Sequence, residues 1–66
     1  MNIVINGETK VVAENATIAL LLDQLNLADK HVAVEVNLEL VPHQRYVEHR
    51  LAGGDSLEIV TLVGGG

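Results

Sequence analysis

The stretch Leu57-Glu58-Ile59-Val60-Thr61-Leu62-Val63 decides the fold. It is rich in β-branched residues and follows the turn-forming Gly53-Gly54-Asp55, which predicts a closing strand over 57–63. Its counterpart at the other end, Asn2-Ile3-Val4-Ile5-Asn6, alternates polar and β-branched residues. It meets Asn6-Gly7, a pair suited to the positive φ angles of a two-residue hairpin turn. Glu8-Thr9-Lys10-Val11-Val12 is then the returning strand. Both end strands carry apolar residues on both faces, so they are expected as parallel neighbours at the centre of one sheet.

Between them the period changes. Ile18, Leu21, Leu22 and Leu25 recur at i, i+3, i+4 and i+7, which predicts a helix over 18–26 with Thr17 as N-cap, Leu20 widening the apolar stripe and Asn26 ending it. Period two returns in Val32-Ala33-Val34-Glu35-Val36-Asn37. A short turn at Asn37-Leu38 leads to Glu39-Leu40-Val41, stopped by Pro42, which has no ladder hydrogen bond to donate. Residues His43 to Leu51 are weakly patterned, irregular or a brief helical turn. The expected class is α+β, with about five strands in ββαβββ order packed against one main helix.

Sixty-six residues support one small domain, and a chain this short buries only about 60% of its unfolded surface. A deep catalytic pocket and a core together are not expected of it. With no cysteine there is no disulfide framework, no thiolate metal site and no thiol nucleophile. The net charge of −5 and the scattered Lys10, Lys30, Arg45 and Arg50 argue against nucleic acid and for a protein partner with a basic surface. No run approaches the roughly 20 apolar residues of a membrane span, and Met1-Asn2-Ile3-Val4 lacks the positive start of a signal peptide. The expected location is the cytoplasm.

Residue chemistry narrows the field further. Ser56, the only serine, has no histidine beside it in sequence, and His31, His43 and His49 match no zinc-binding spacing. Glu35 with Glu39, or Glu48 with Glu58, are candidate carboxylate pairs, for which a solvated acidic face is the plainer reading. Gly53-Gly54 lacks the Lys and Ser/Thr of a phosphate-cradling loop. What remains is Gly64-Gly65-Gly66. Glycines thread through a channel too narrow for other residues, and three of them reach roughly 10 Å. At neutral pH an α-carboxylate on Gly66, titrating near about 3.5, is a poor electrophile, so acyl chemistry there requires activation, most simply as a mixed anhydride with AMP. The alternative is that the glycines are only a loose end. Residues 1–63 form the expected domain and 64–66 a flexible tail.

Alternation assigns a second candidate surface. With Leu57 and Ile59 toward the helix, Glu58, Val60 and Leu62 face away, and Val4 is expected to join them as an apolar docking patch rimmed by acid.

In order and spacing, Met1-Asn2-Ile3 with Asn6-Gly7, Val32-Ala33-Val34-Glu35-Val36-Asn37, Glu39-Leu40-Val41-Pro42, Gly54-Asp55-Ser56-Leu57-Glu58-Ile59-Val60 and Val63-Gly64-Gly65-Gly66 resemble the sulfur carrier proteins of thiamine biosynthesis across the whole chain. The resemblance implies a ubiquitin-like β-grasp fold and a carrier that is not itself an enzyme. Its Gly66 would be adenylated by an activating enzyme of the ubiquitin-activating type and converted to a thiocarboxylate for thiazole synthase. It further implies a sulfur-donor protein, with ATP used by the activating enzyme and no cofactor held by the carrier. The small subunit of molybdopterin synthase, a protein modifier whose Gly66 becomes amide-linked, and a β-grasp adaptor without chemistry are the competing readings.

Overall fold

The structure, a computed structural model, describes residues 1–62. The elements are β1 (Asn2–Ile5), β2 (Glu8–Val11), α1 (Ile18–Gln24), β3 (Val32–Val36), β4 (Glu39–Val41), a 3-10 turn at His43–Arg45, and β5 (Ser56–Thr61). One five-stranded sheet runs in the order β2-β1-β5-β3-β4. β1 and β5 are parallel neighbours, with Val4 opposite Ser56 and Ile5 opposite Leu57. The other three pairings are antiparallel. The closing strand is therefore the central one, as its apolar composition predicts. It ends at Thr61; Leu62 follows it, and Val63 lies outside the described residues.

The turns follow from local chemistry. Asn6 (φ 50) and Gly7 (φ 85) form the β1–β2 hairpin turn, and Asn37 (φ 52) with Leu38 (φ 70) repeats that geometry between β3 and β4. Thr17 caps α1 by accepting the Leu20 N–H on Oγ1 at 3.2 Å. Three more N–H groups at this end are met by backbone: Ile18 donates to the His49 carbonyl, Ala19 to that of Tyr46, and Leu21 to that of Thr17. The weakly patterned segment after Pro42 thus closes the end of the helix.

α1 stops two residues earlier than the periodicity predicts. Asn26 takes φ 60, its N–H reaches the Asp23 carbonyl, and the Leu27 N–H reaches that of Leu22 at 2.8 Å. This is the Schellman arrangement with asparagine at the left-handed position. Leu20 does not widen the buried stripe; it is 56% exposed. At about 100° per residue it lies roughly 150° around the helix from the centre of the stripe made by Ile18, Leu21, Leu22 and Leu25.

Ile18, Leu21 and Leu22 pack on Ile3, Ile5, Leu57, Ile59, Val34 and Val36 from one face of the sheet. Tyr46, read from sequence as part of an unpatterned stretch, is also core. It is buried, and its hydroxyl donates to the Val32 carbonyl at 3.4 Å. All four residues of the edge strand β2 are exposed, and Val12, just beyond it, is buried, its N–H donating to the Met1 carbonyl at 2.8 Å.

Candidate functional site

Gly64, Gly65 and Gly66, the proposed tail and its modified end, lie outside the described residues. What the structure defines is the platform from which they leave. β5 is held on one side by β3 over its register from Leu57 opposite Val36 to Thr61 opposite Val32. Beyond Thr61, the Leu62 N–H donates to the His31 carbonyl at 2.8 Å, so the anchoring continues to the last described residue.

On its other side β5 has β1 for only two residue pairs, after which β1 turns away at Asn6. The Asn6 side chain then takes the place of backbone. Its Oδ1 accepts the Ile59 N–H at 2.9 Å and its Nδ2 donates to the Ile59 carbonyl at 3.1 Å. The start of β5 is secured by another asparagine: Asn37 Oδ1 accepts the Ser56 N–H at 3.0 Å, and Asn37 Nδ2 donates to Asp55 Oδ1 at 3.0 Å. Asp55 Oδ2 accepts the Ala52 N–H at 2.8 Å, closing the turn before the strand. Asparagine spacing alone did not disclose these ties, because their partners are up to 53 residues distant.

Of the predicted docking residues, Glu58, Val60 and Leu62 are exposed, Val60 and Leu62 each by 54%, while Val4 is half-buried. Their arrangement differs from the sequence expectation. Val4 stands opposite Ser56, so it lies four residues from Val60, about 13 Å along the sheet. Glu58 falls between them rather than on the rim. Directly opposite Glu58 is Glu35, and opposite Glu35 on its other side is Leu40, which is 68% exposed. The outer face therefore has an acidic centre, with Val60, Ala33 and Leu62 on one side of it and Val4 on the other.

The carboxylate pairings considered from sequence are not the ones formed. Glu35 meets Glu58, and Glu48 is bound to Arg45 at 3.0 Å. The histidines serve structure. His31 and His49 contribute backbone carbonyls, and the His43 ring meets that of Tyr46 edge-on, with centroids 5.2 Å apart. Among the described residues no three His, Asp or Glu side chains converge as metal ligands, and no helix is long and apolar enough to cross a membrane.

A helix laid over one face of a mixed sheet, with the first and last strands parallel at its centre, is the ubiquitin-like β-grasp fold, here with three glycines following the middle strand in sequence. The family model described as the ThiS family matches residues 2–66, and the chain belongs to that family of sulfur carriers. It is similar to the crystal structure of the thiamine biosynthesis protein ThiS from Geobacter metallireducens, with TM-score 0.85, 32% identity and complete coverage of both chains. It is 41% identical over 63 residues to the sulfur carrier protein ThiS of Bacillus subtilis, covering 94% of this chain and 96% of that one. All 66 residues also align at 44% identity with a thiazole synthase of Paramagnetospirillum magneticum, of whose length the chain spans 20%.

Proposed function

We propose that the chain carries sulfur as a thiocarboxylate on Gly66 and delivers it for thiazole formation in thiamine biosynthesis. An adenylating enzyme of the ubiquitin-activating type joins the Gly66 carboxylate to the AMP moiety of ATP, releasing pyrophosphate. The terminal sulfur of a persulfide on a donor protein attacks the activated carbonyl carbon, and AMP leaves as the carbon–sulfur bond forms. A second thiol of the partner proteins then attacks the other sulfur of this acyl disulfide, breaking its S–S bond to leave the thiocarboxylate on Gly66 and a disulfide between the two thiols. Thiazole synthase is the acceptor. Val4, Glu58, Val60 and Leu62 belong to the docking face, and Gly64 and Gly65 thread into the partner. Val4 contributes least, being half-buried and set apart by Glu58.

The observation that carries this reading is a run of three glycines that follows in sequence a central strand held by β3 along its length and by β1 and Asn6 as far as Ile59. A tail that must present one carboxylate to another protein's active site benefits from a rigid origin, since less orientation is lost on docking. The lack of cysteine is consistent with it, because no internal thiol competes for the activated acyl group. A thiazole synthase that contains a segment 44% identical to this chain supports the choice of acceptor over molybdopterin synthase.

The test is an intact-mass measurement after incubation with the adenylating enzyme, ATP and a sulfur donor. The expected change is exchange of one oxygen for sulfur at Gly66. An unchanged mass with an enzyme shown to be active on another carrier rejects the reading, and an amide adduct to lysine in its place identifies a modifier.

A further inference from the structure

The two flanks of β5 end at different places. The Leu62 N–H on His31 and the Asn37 N–H on the Ser56 carbonyl show that the even-numbered residues of β5 bond to β3. The odd-numbered ones face β1: the Leu57 carbonyl accepts the Asn6 N–H, and Ile59 is taken by the Asn6 side chain. Thr61 is the next odd residue. Its N–H and carbonyl point into the lane that β1 vacates at the Asn6-Gly7 turn, and among the described residues nothing pairs with them.

We propose that this vacant lane beside Thr61 receives an extended backbone segment of the adenylating enzyme, which joins the sheet as an added strand next to β5. The inference rests on the carrier reading above. Gly66 lies four residues beyond Leu62, an extended reach of about 13–14 Å. An enzyme that takes Gly66 into its active site must therefore bring its surface up to the root of the tail. That contact removes water from Thr61, and a main-chain N–H and C=O left dry and unpaired oppose binding. A side chain of the enzyme answers one of these groups, whereas an extended strand answers both at ladder spacing and continues the pattern that Asn6 imitates at Ile59. Thr61 is itself exposed, and among the described residues none bonds to its N–H or carbonyl on the β1 side.

The test is amide exchange at single-residue resolution, on the carrier alone and saturated with the adenylating enzyme of the same organism, together with affinities for Thr61→Pro and Thr61→Val. Proline removes the N–H at a position where the sheet makes no use of it, so the fold is expected to persist by circular dichroism. Complex formation is expected to slow exchange at Thr61 by about a hundredfold or more, with little change at Leu62, which His31 already holds. Thr61→Pro is expected to weaken binding by at least about tenfold, and Thr61→Val to leave it near the unaltered value. Unchanged exchange at Thr61 in a formed complex, full-strength binding by Thr61→Pro, or equal losses in both variants would each overturn the proposal. Should Thr61→Pro fail to fold, the exchange measurement on the unaltered chain decides. Tight binding with Thr61 protection but no exchange of oxygen for sulfur would reject the carrier chemistry and leave the added strand standing.

Discussion

Asn6 and Ile59, 53 residues apart in sequence, are joined by two hydrogen bonds in which the asparagine amide does the work of a strand. The first strand turns at Asn6 to form its hairpin, whereas the last strand continues to Thr61. A side chain that donates one hydrogen bond and accepts one extends the ladder by one step without extending the strand. Asparagine also tolerates the φ of 50 that the turn imposes, so one residue meets both demands.

Replacing Asn6 separates the two roles. Asn6→Gly keeps the backbone freedom and removes both bonds; Asn6→Ala also strains the turn. Losses of about 1–3 kcal/mol are expected for glycine, from two main-chain groups left unpaired, and about 1 kcal/mol more for alanine. Urea unfolding checks both, and equal stability of the glycine variant and the parent would show that the clamp contributes nothing.

Leu38 sits at φ 70 and is 88% exposed, so it bears the cost of a left-handed backbone without a buried side chain in return. Leu38→Gly is expected to stabilise the protein by about 1 kcal/mol, raising the melting temperature by roughly 4–8 °C in a domain of this size. A lowered midpoint would contradict this.

Glu35 and Glu58 face each other across β3 and β5, and neither takes part in an ion pair among the described residues. Like charges directly opposite in a sheet are unfavourable, so Glu58→Gln is expected to raise stability by about 0.2–1 kcal/mol. The gain should shrink as salt is added, because screening relieves the parent. If these carboxylates meet a basic group on the partner, the same substitution slows association at low salt, measurable by stopped flow.

Burial pushes the Tyr46 phenol above its usual value of 10, and the opposing effect of a backbone hydrogen bond is smaller. The folded state then keeps a proton that the unfolded state loses. The stability this group contributes is complete below about pH 10 and falls as pH rises through the folded value. Urea midpoints measured from about pH 8 to about pH 11 should decline more steeply for the parent than for Tyr46→Phe. Equal slopes would show that the phenol does not govern alkaline unfolding.

Deleting Gly65 and Gly66 removes none of the hydrogen bonds described among residues 1–62, so the circular dichroism spectrum and the urea midpoint should be unchanged. Exchange of oxygen for sulfur should be abolished. Loss of folded structure on truncation would make the tail a structural element and overturn its assignment as a carrier arm.

Much of this was legible from local pattern. The alternation at Asn2–Ile5 and Val32–Val36, the asparagine turns and the Ile18-Leu21-Leu22 stripe each depend on neighbours a few residues away, and the sequence by itself determined the β-grasp order of elements. Leu20 misled because a leucine beside a stripe reads as part of it until the helix is wound, when its angular position turns it to solvent. Tyr46 gave no periodic signal because it packs from an irregular segment. Only the tertiary structure set Glu58 against Glu35 and apart from Val4, placed Asn6 on Ile59, and left Thr61 facing an empty lane. Those relations depend on which residues of remote strands stand side by side, and register is a property of the assembled sheet that no single strand's sequence contains.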